Sequence, residues 1–119
     1  MRFEVIVAGG SDFENAIYTP VTGAVEFGSK YKELLAKAAA EKCEQLDIRE
    51  IDAQEKTSGD FQFIGIAERV IQGFLKTNKY PKTVRILCTS EKRAALYKSV
   101  YNFWFAAEKI DRMQDDRWD

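Results

Sequence analysis

The stretch Thr57-Ser58-Gly59-Asp60-Phe61-Gln62-Phe63 holds the residues whose types and order best suit ligand chemistry. It follows a short apolar run and precedes a helical pattern, and consecutive backbone N–H groups beside a helix N-terminus can cradle phosphate oxygens. Gly59 is the key position, because a residue without Cβ lets the backbone approach a ligand closely. Packing alone offers a second reading, a tight strand-to-helix connection in which Phe61 and Phe63 cover the sheet edge. Other chemistry is narrowed by what is missing. The chain has no histidine, which removes imidazole-based triads, the common zinc sets and the usual proton shuttle near neutral pH. Asp47, Asp52, Glu55 and Asp60 are dispersed, and no spacing fixes them on one face, so they read as solvated loop charges with neither a metal nor a catalytic pair. Cys43 and Cys88 lie far apart inside apolar patterns and read as buried thiols.

The elements that must position these residues follow from periodicity. At 119 residues, 45% apolar and 31% charged, the chain suits one domain, 1–119, with a core that stands without staples. Eighteen basic residues against nineteen acidic ones leave no field that would draw it to nucleic acid or an anionic membrane. No apolar run reaches the roughly 20 residues needed to span a bilayer, and the N-terminus lacks a signal-peptide layout, so the expected address is cytoplasmic with no cofactor. Phe3 to Ala8 reads as a buried strand closed by Gly9-Gly10. Ser11 to Phe27 is ambiguous, since Pro20 demotes its β-branched part to an edge strand or extended loop. Ser29 is read as the N-cap of a helix to about Gln45, and Leu46 to Ile51 as a strand. Phe63 to Lys76 reads as a helix weakened at Gly65 and Gly73, ended by the turn Asn78 to Lys82. Thr83 to Cys88 is a central strand, and Thr89 or Ser90 caps a last helix to about Met113, beyond which Gln114 to Asp119 frays.

From Val5 to Tyr101 the chain resembles the second half of a macro domain, the ADP-ribose-binding α/β/α module. Thr57-Ser58-Gly59-Asp60-Phe61-Gln62-Phe63 is similar to that family's Ser-Thr-Gly-Ile-Tyr-Gly-Phe type loop at the glycine and both aromatics, departing from it at Asp60 and Gln62. Thr83 to Glu91, followed by Leu96-Tyr97-Lys98, resembles the family's closing strand, short loop and last helix. The resemblance implies an ADP-ribose-like ligand held by Thr57, Ser58 and Gly59, with Phe61 over a ribose. The family's N-terminal segments, which hold the distal ribose and carry hydrolase activity, have no counterpart, so hydrolysis is not expected. A shorter resemblance, Val5 to Phe13, is to the opening of Rossmann-like nucleotide-sensing proteins of the SLOG superfamily, and a plain glycine turn accounts for it as well.

The last helix carries the other lead. Tyr97, Val100, Tyr101 and Trp104 fall on one stripe and Phe103, Ala106, Ile110 and Met113 on another, so two apolar faces need two partners: the sheet for one, and another element of the same chain or a second subunit for the other. Lys92, Arg93, Lys98 and Lys109 read as its solvated rim. The expectation is a shortened macro-like domain, three-layer α/β/α with a small mixed sheet. It would be a non-enzymatic interaction or scaffold protein, homodimeric through Tyr97, Tyr101 and Trp104. The alternative is residual binding of an ADP-ribose-like or other nucleotide-like ligand through 57–63.

Overall fold

The computed structural model describes the backbone of residues 2–53 and 57–118 and the side chains of 2–53 and 59–105. Three strands form the sheet: β1 (Phe3–Val7), β2 (Gln45–Arg49) and β3 (Thr83–Cys88). β3 is central, in the order β1-β3-β2. Both pairings are parallel, with Val5 opposite Ile86 and Ile48 opposite Ile86. The mixed sheet expected from sequence is therefore a parallel one among the described residues.

Strand residues alternate between faces, and the two faces of this sheet differ sharply. Phe3, Leu46, Ile48, Val84, Ile86 and Cys88 are buried on one face, with Val5 packed against them. The other face carries Glu4, Asp47, Arg49 and Arg85. There Arg85 makes a two-pronged pair with Asp47, Nε to Oδ1 and Nη2 to Oδ2 both at 2.9 Å. Leu87 is fully buried on this polar face but stands outside the main apolar cluster.

The chain path explains that sidedness. After β1 a 3₁₀ segment, Gly10–Asn15, leads to Ile17. Ile17 bridges in parallel to Ile48, its N–H donating to the Asp47 carbonyl and its carbonyl accepting from Arg49. The ambiguous segment 11–27 is thus a 3₁₀ turn, a single bridge on the outer edge of β2 and the first turn of a helix that begins at Ala24. The Arg49 guanidinium lies 5.2 Å from the Phe13 ring, so this passage crosses the polar face. Three helices then return over the apolar face: α1 (Ala24–Ala40), α2 (Thr57–Thr77) and α3 (Glu91–Trp118). Moving one way over one face and back over the other keeps every crossover the same hand, as the twist of parallel strands requires.

Each helix buries one stripe: Phe27, Tyr31, Leu35 and Ala38 from α1, Ile64, Ala67, Ile71 and Leu75 from α2, and Ala94, Tyr97 and Val100 from α3. The three stripes join the strand residues in one cluster. α1 starts at Ala24, five residues before the expected Ser29 cap, because Phe27 completes its stripe and packs at 5.3 Å on Phe63. It stops at Ala40, short of Gln45, where Lys42 turns to φ 53° and the Cys43 N–H reaches back to the Ala38 carbonyl. Ser90 caps α3, its Oγ accepting from the Arg93 N–H at 3.2 Å. α3 is helical to Trp118, past the expected fraying at Gln114.

The largest correction concerns 57–63. These residues are not a loop: they form the first two turns of α2. Asp60, read as a solvated loop charge, is buried there. Glu55 and the side chains of Thr57 and Ser58 lie outside the described residues, as do those of Ala106, Lys109, Ile110 and Met113.

The far end of α2 is held by Arg2. Its guanidinium donates to the carbonyls of Leu75, Asn78, Lys79, Pro81 and Lys82, so a cation neutralises the negative end of the helix dipole. The turn expected at 78–82 is in place, with Tyr80–Pro81 cis. Arg2→Ala is expected to lower unfolding free energy in urea by about 2 kcal/mol, since charged hydrogen bonds contribute most when several converge. Arg2→Lys should recover less than half of it, because a point charge cannot reproduce the planar fork. Full recovery by lysine would reject the fork as the cause.

Candidate functional site

Two clusters of side chains stand out once the helices are placed. The first is a polar knot at the carboxyl edge of the sheet, built around Arg93 in the first turn of α3. Its Nη1 lies 3.1 Å from Asp60 Oδ2, its Nε 3.5 Å from Glu50 Oε2, and its Nη2 donates to the Ile51 carbonyl at 2.8 Å. Thr89 Oγ1 donates to Glu50 Oε1 at 2.8 Å. Arg93 was expected on a solvated rim; it is largely buried between two carboxylates instead.

The knot offers little to a reaction. Both of its carboxylates are engaged by the one guanidinium. Cys88 beside it is fully buried, and burial, reinforced by the Glu50 charge, pushes its thiol up to about 12. A thiol held protonated at neutral pH is not a nucleophile. Tyr97 is buried as well, its hydroxyl accepting from the Ile51 N–H at 2.8 Å, and burial raises its pKa well above the ordinary value. Among the described residues no group of three His, Cys, Asp or Glu side chains could hold a metal ion.

The second cluster is aromatic and open to solvent. Phe61 on α2 meets Phe103 on α3 edge-on at 5.1 Å, Phe103 meets Trp104 at 5.2 Å, and Phe61 lies 6.4 Å from Trp104. These rings are 36%, 64% and 39% exposed. The Trp104 indole has a fixed seat. A Cβ on Gly65 would stand 2.5 Å from Trp104 Nε1, so only glycine leaves room for it. The Arg69 guanidinium covers the ring at 4.3 Å, a cation–π contact.

No family model matches the chain, and no curated protein matches it either. The assignment of a site therefore rests on this geometry alone. Of the residues expected to bind a ligand, Thr57, Ser58 and Gly59 lie in the first turn of α2 and Phe61 belongs to the aromatic cluster. Of those expected at an interface, Trp104 is exposed. Tyr101 is half-buried, stacked on Phe3 at 5.5 Å and accepting from Gln72 at 3.0 Å. Tyr97 belongs to the core and is removed from the surface. Phe103, which spacing puts on the second stripe, is the most exposed ring of the cluster. Arg69 carried no sequence signal, because a single cation on a helix is ordinary until its aromatic partner is known. Among the described residues no helix is long and apolar enough to cross a membrane.

One buried group stands apart from both clusters. Glu68 on α2 is 1% exposed, and neither carboxyl oxygen has a hydrogen-bond partner. Burial pushes its pKa from the ordinary 4.5 up to about 9. The unfolded chain releases that proton near 4.5 while the folded chain holds it, so the stability contribution is complete below pH 4.5 and is lost as pH rises toward 9. The expected slope approaches about 1.4 kcal/mol per pH unit in that window. Urea unfolding of Glu68→Gln between pH 5 and pH 8.5 should show that slope removed; a variant with the wild-type slope would assign the pH dependence elsewhere.

Proposed function

We propose that this protein is a small non-enzymatic interaction domain, a scaffold that pairs with a second copy of itself through the aromatic surface shared by α2 and α3. The observation that carries this reading is the open cluster of Phe61, Phe103 and Trp104, three of the seven large apolar residues left exposed among the described ones. Scattered single apolar residues are normal on a surface, but a contiguous aromatic patch with an adjacent cation has the composition of a binding hot spot. The seat under Trp104 supports it further, since an anchor already in its rotamer loses little entropy on docking. The engaged carboxylates and the inert Cys88 thiol favour a role without chemistry, and a reduced buried thiol suits a cytoplasmic setting.

The macro-like architecture remains part of the proposal in its finer form only. A third layer would have to lie on the polar face, where Phe13 of the 3₁₀ segment already meets the Arg49 guanidinium. The ligand-binding alternative has less to stand on, because the backbone cradle it needs is helical at 57–63. What is left to it is the N-terminal turn of α2, and Asp60 there already engages Arg93.

Sedimentation of the full chain tests the proposal. A dimer is expected in the micromolar range, and Phe103→Glu should weaken it by at least about 30-fold, the size of a hot-spot loss. Phe103 is mostly exposed, so its far-ultraviolet circular dichroism should match the wild type. A wild-type monomer at several hundred micromolar would overturn the reading.

A further inference from the structure

The two edges of the sheet are finished differently. The outer edge of β2 is closed by Ile17, whose backbone bonds to Asp47 and Arg49. The outer edge of β1 has no such cover. β1 pairs with β3 alone, and its ladder runs from the Val84 N–H, which donates to the Arg2 carbonyl at 2.7 Å, to the Ala8 N–H, which donates to the Cys88 carbonyl at 2.9 Å. Backbone groups alternate in direction along a strand, so Arg2, Glu4, Ile6 and Ala8 turn theirs to β3. Phe3, Val5 and Val7 therefore point their N–H and C=O groups outward, and among the described residues no hydrogen bond reaches them.

Native edge strands are blunted by lysine, proline or a bulge. Phe3–Val7 contains none of these, and its register to β3 is unbroken. Its apolar row is also unfinished. Phe3 is buried against Tyr101, with the rings 5.5 Å apart, whereas Val7 on the same face is 48% exposed.

We propose that the outer edge of β1 pairs with β1 of a second copy, antiparallel about a two-fold axis at Val5, so that two sheets become one. The register follows from the residues. With Val5 opposite the partner's Val5, Phe3 meets the partner's Val7, and each outward-pointing pair exchanges both of its N–H···O bonds. The exposed Val7 gains an aromatic cross-strand neighbour, and Glu4, the one charge on the strand, faces the partner's Ile6. An axis one residue earlier would set Glu4 against the partner's Glu4, and directly opposed like charges are destabilising. One residue later would set Phe3 against Gly9, beyond the end of the strand. A second copy fits this edge better than an unrelated peptide, because symmetry satisfies every outward group with no further sequence. The edge and the aromatic cluster use different sides of α3: Tyr101 stacks on Phe3, while Phe103 and Trp104 meet α2. Copies that hold both contacts assemble beyond a dimer.

Sedimentation equilibrium and amide exchange on the full chain carrying Phe103→Glu test the edge with the aromatic contact disabled. This chain is expected to dimerise between micromolar and millimolar concentration. Val5→Pro removes an outward N–H that the fold does not use, at an edge position where proline is tolerated. Val7→Lys sets a charge against the partner's Phe3 from a half-exposed site. Either substitution should weaken the dimer at least about tenfold, with thermal unfolding as the check that the fold is intact. Over the same concentration range the Val5 and Val7 amides should become protected, while those of Glu4 and Ile6, already bonded to β3, are protected throughout. A monomer at millimolar concentration, or Val5 and Val7 amides that exchange freely there, would overturn the edge pairing and leave the aromatic contact to its own test. A dimer that neither substitution weakens would overturn it as well.

Discussion

One guanidinium closes the carboxyl edge of this fold. Arg93 is the third residue of α3, and a cation there opposes the positive end of the helix dipole. It is held because Asp60 arrives from the first turn of α2 and Glu50 from the end of β2, both in ion-pair range. Removing the cation would leave two carboxylates in a largely dry site, which costs several kcal/mol. The same side chain binds the Ile51 carbonyl, and the Ile51 N–H goes to the Tyr97 hydroxyl one turn further along α3. The chain leaving β2 is thus tied at both backbone groups to α3, and α2 begins where that tie directs it. The Phe61 to Phe103 contact depends on this registration, because it is made across the same pair of helices.

The second constraint is the sidedness of the sheet. A short chain buries a smaller share of its surface than a long one, and here the apolar cluster takes its strand residues from one face of the sheet. The sequence places Arg85 and Asp47 opposite one another, and their paired geometry leaves that face compatible with water. All three helices then share the apolar face, which forces them into one layer. α2 is flanked on both sides in that layer, by α1 and α3.

Much of the architecture was legible because it rests on local pattern. β1, β3 and the start of α3 carry β-branched runs and a Ser90 cap that need no tertiary help, and the turn at 78–82 follows from Pro81. What escaped reading depends on contacts distant in sequence. Gly59 and the hydroxyl pair before it argue for a loop, but Asp60 paired to Arg93 and Phe61 packed on Phe103 hold those residues helical. α1 starts early because Phe27 finds Phe63, thirty-six residues away. Within the aromatic cluster Phe61 and Trp104 carry a sequence signal and the Arg69 that covers the indole does not; spacing puts Tyr97 on the stripe of Trp104, yet the Ile51 N–H holds Tyr97 in the core. Helical periodicity locates a face to within a residue or so and does not say where along the helix burial ends.

That end point on α3 separates its core residues from its exposed aromatic ones. Tyr97 and Val100 are fully buried, Tyr101 is half-buried, and Phe103 and Trp104 are open. The transition occurs within two turns, opposite Gly65 on α2. A glycine inside a helix costs about 1 kcal/mol relative to alanine, yet an alanine Cβ at this position would collide with the indole. A side chain meant only for the core would be hidden in exchange for that loss. Trp104 is instead backed by Gly65, capped by Arg69 and left open on its remaining side, and the proposed pairing rests on that geometry.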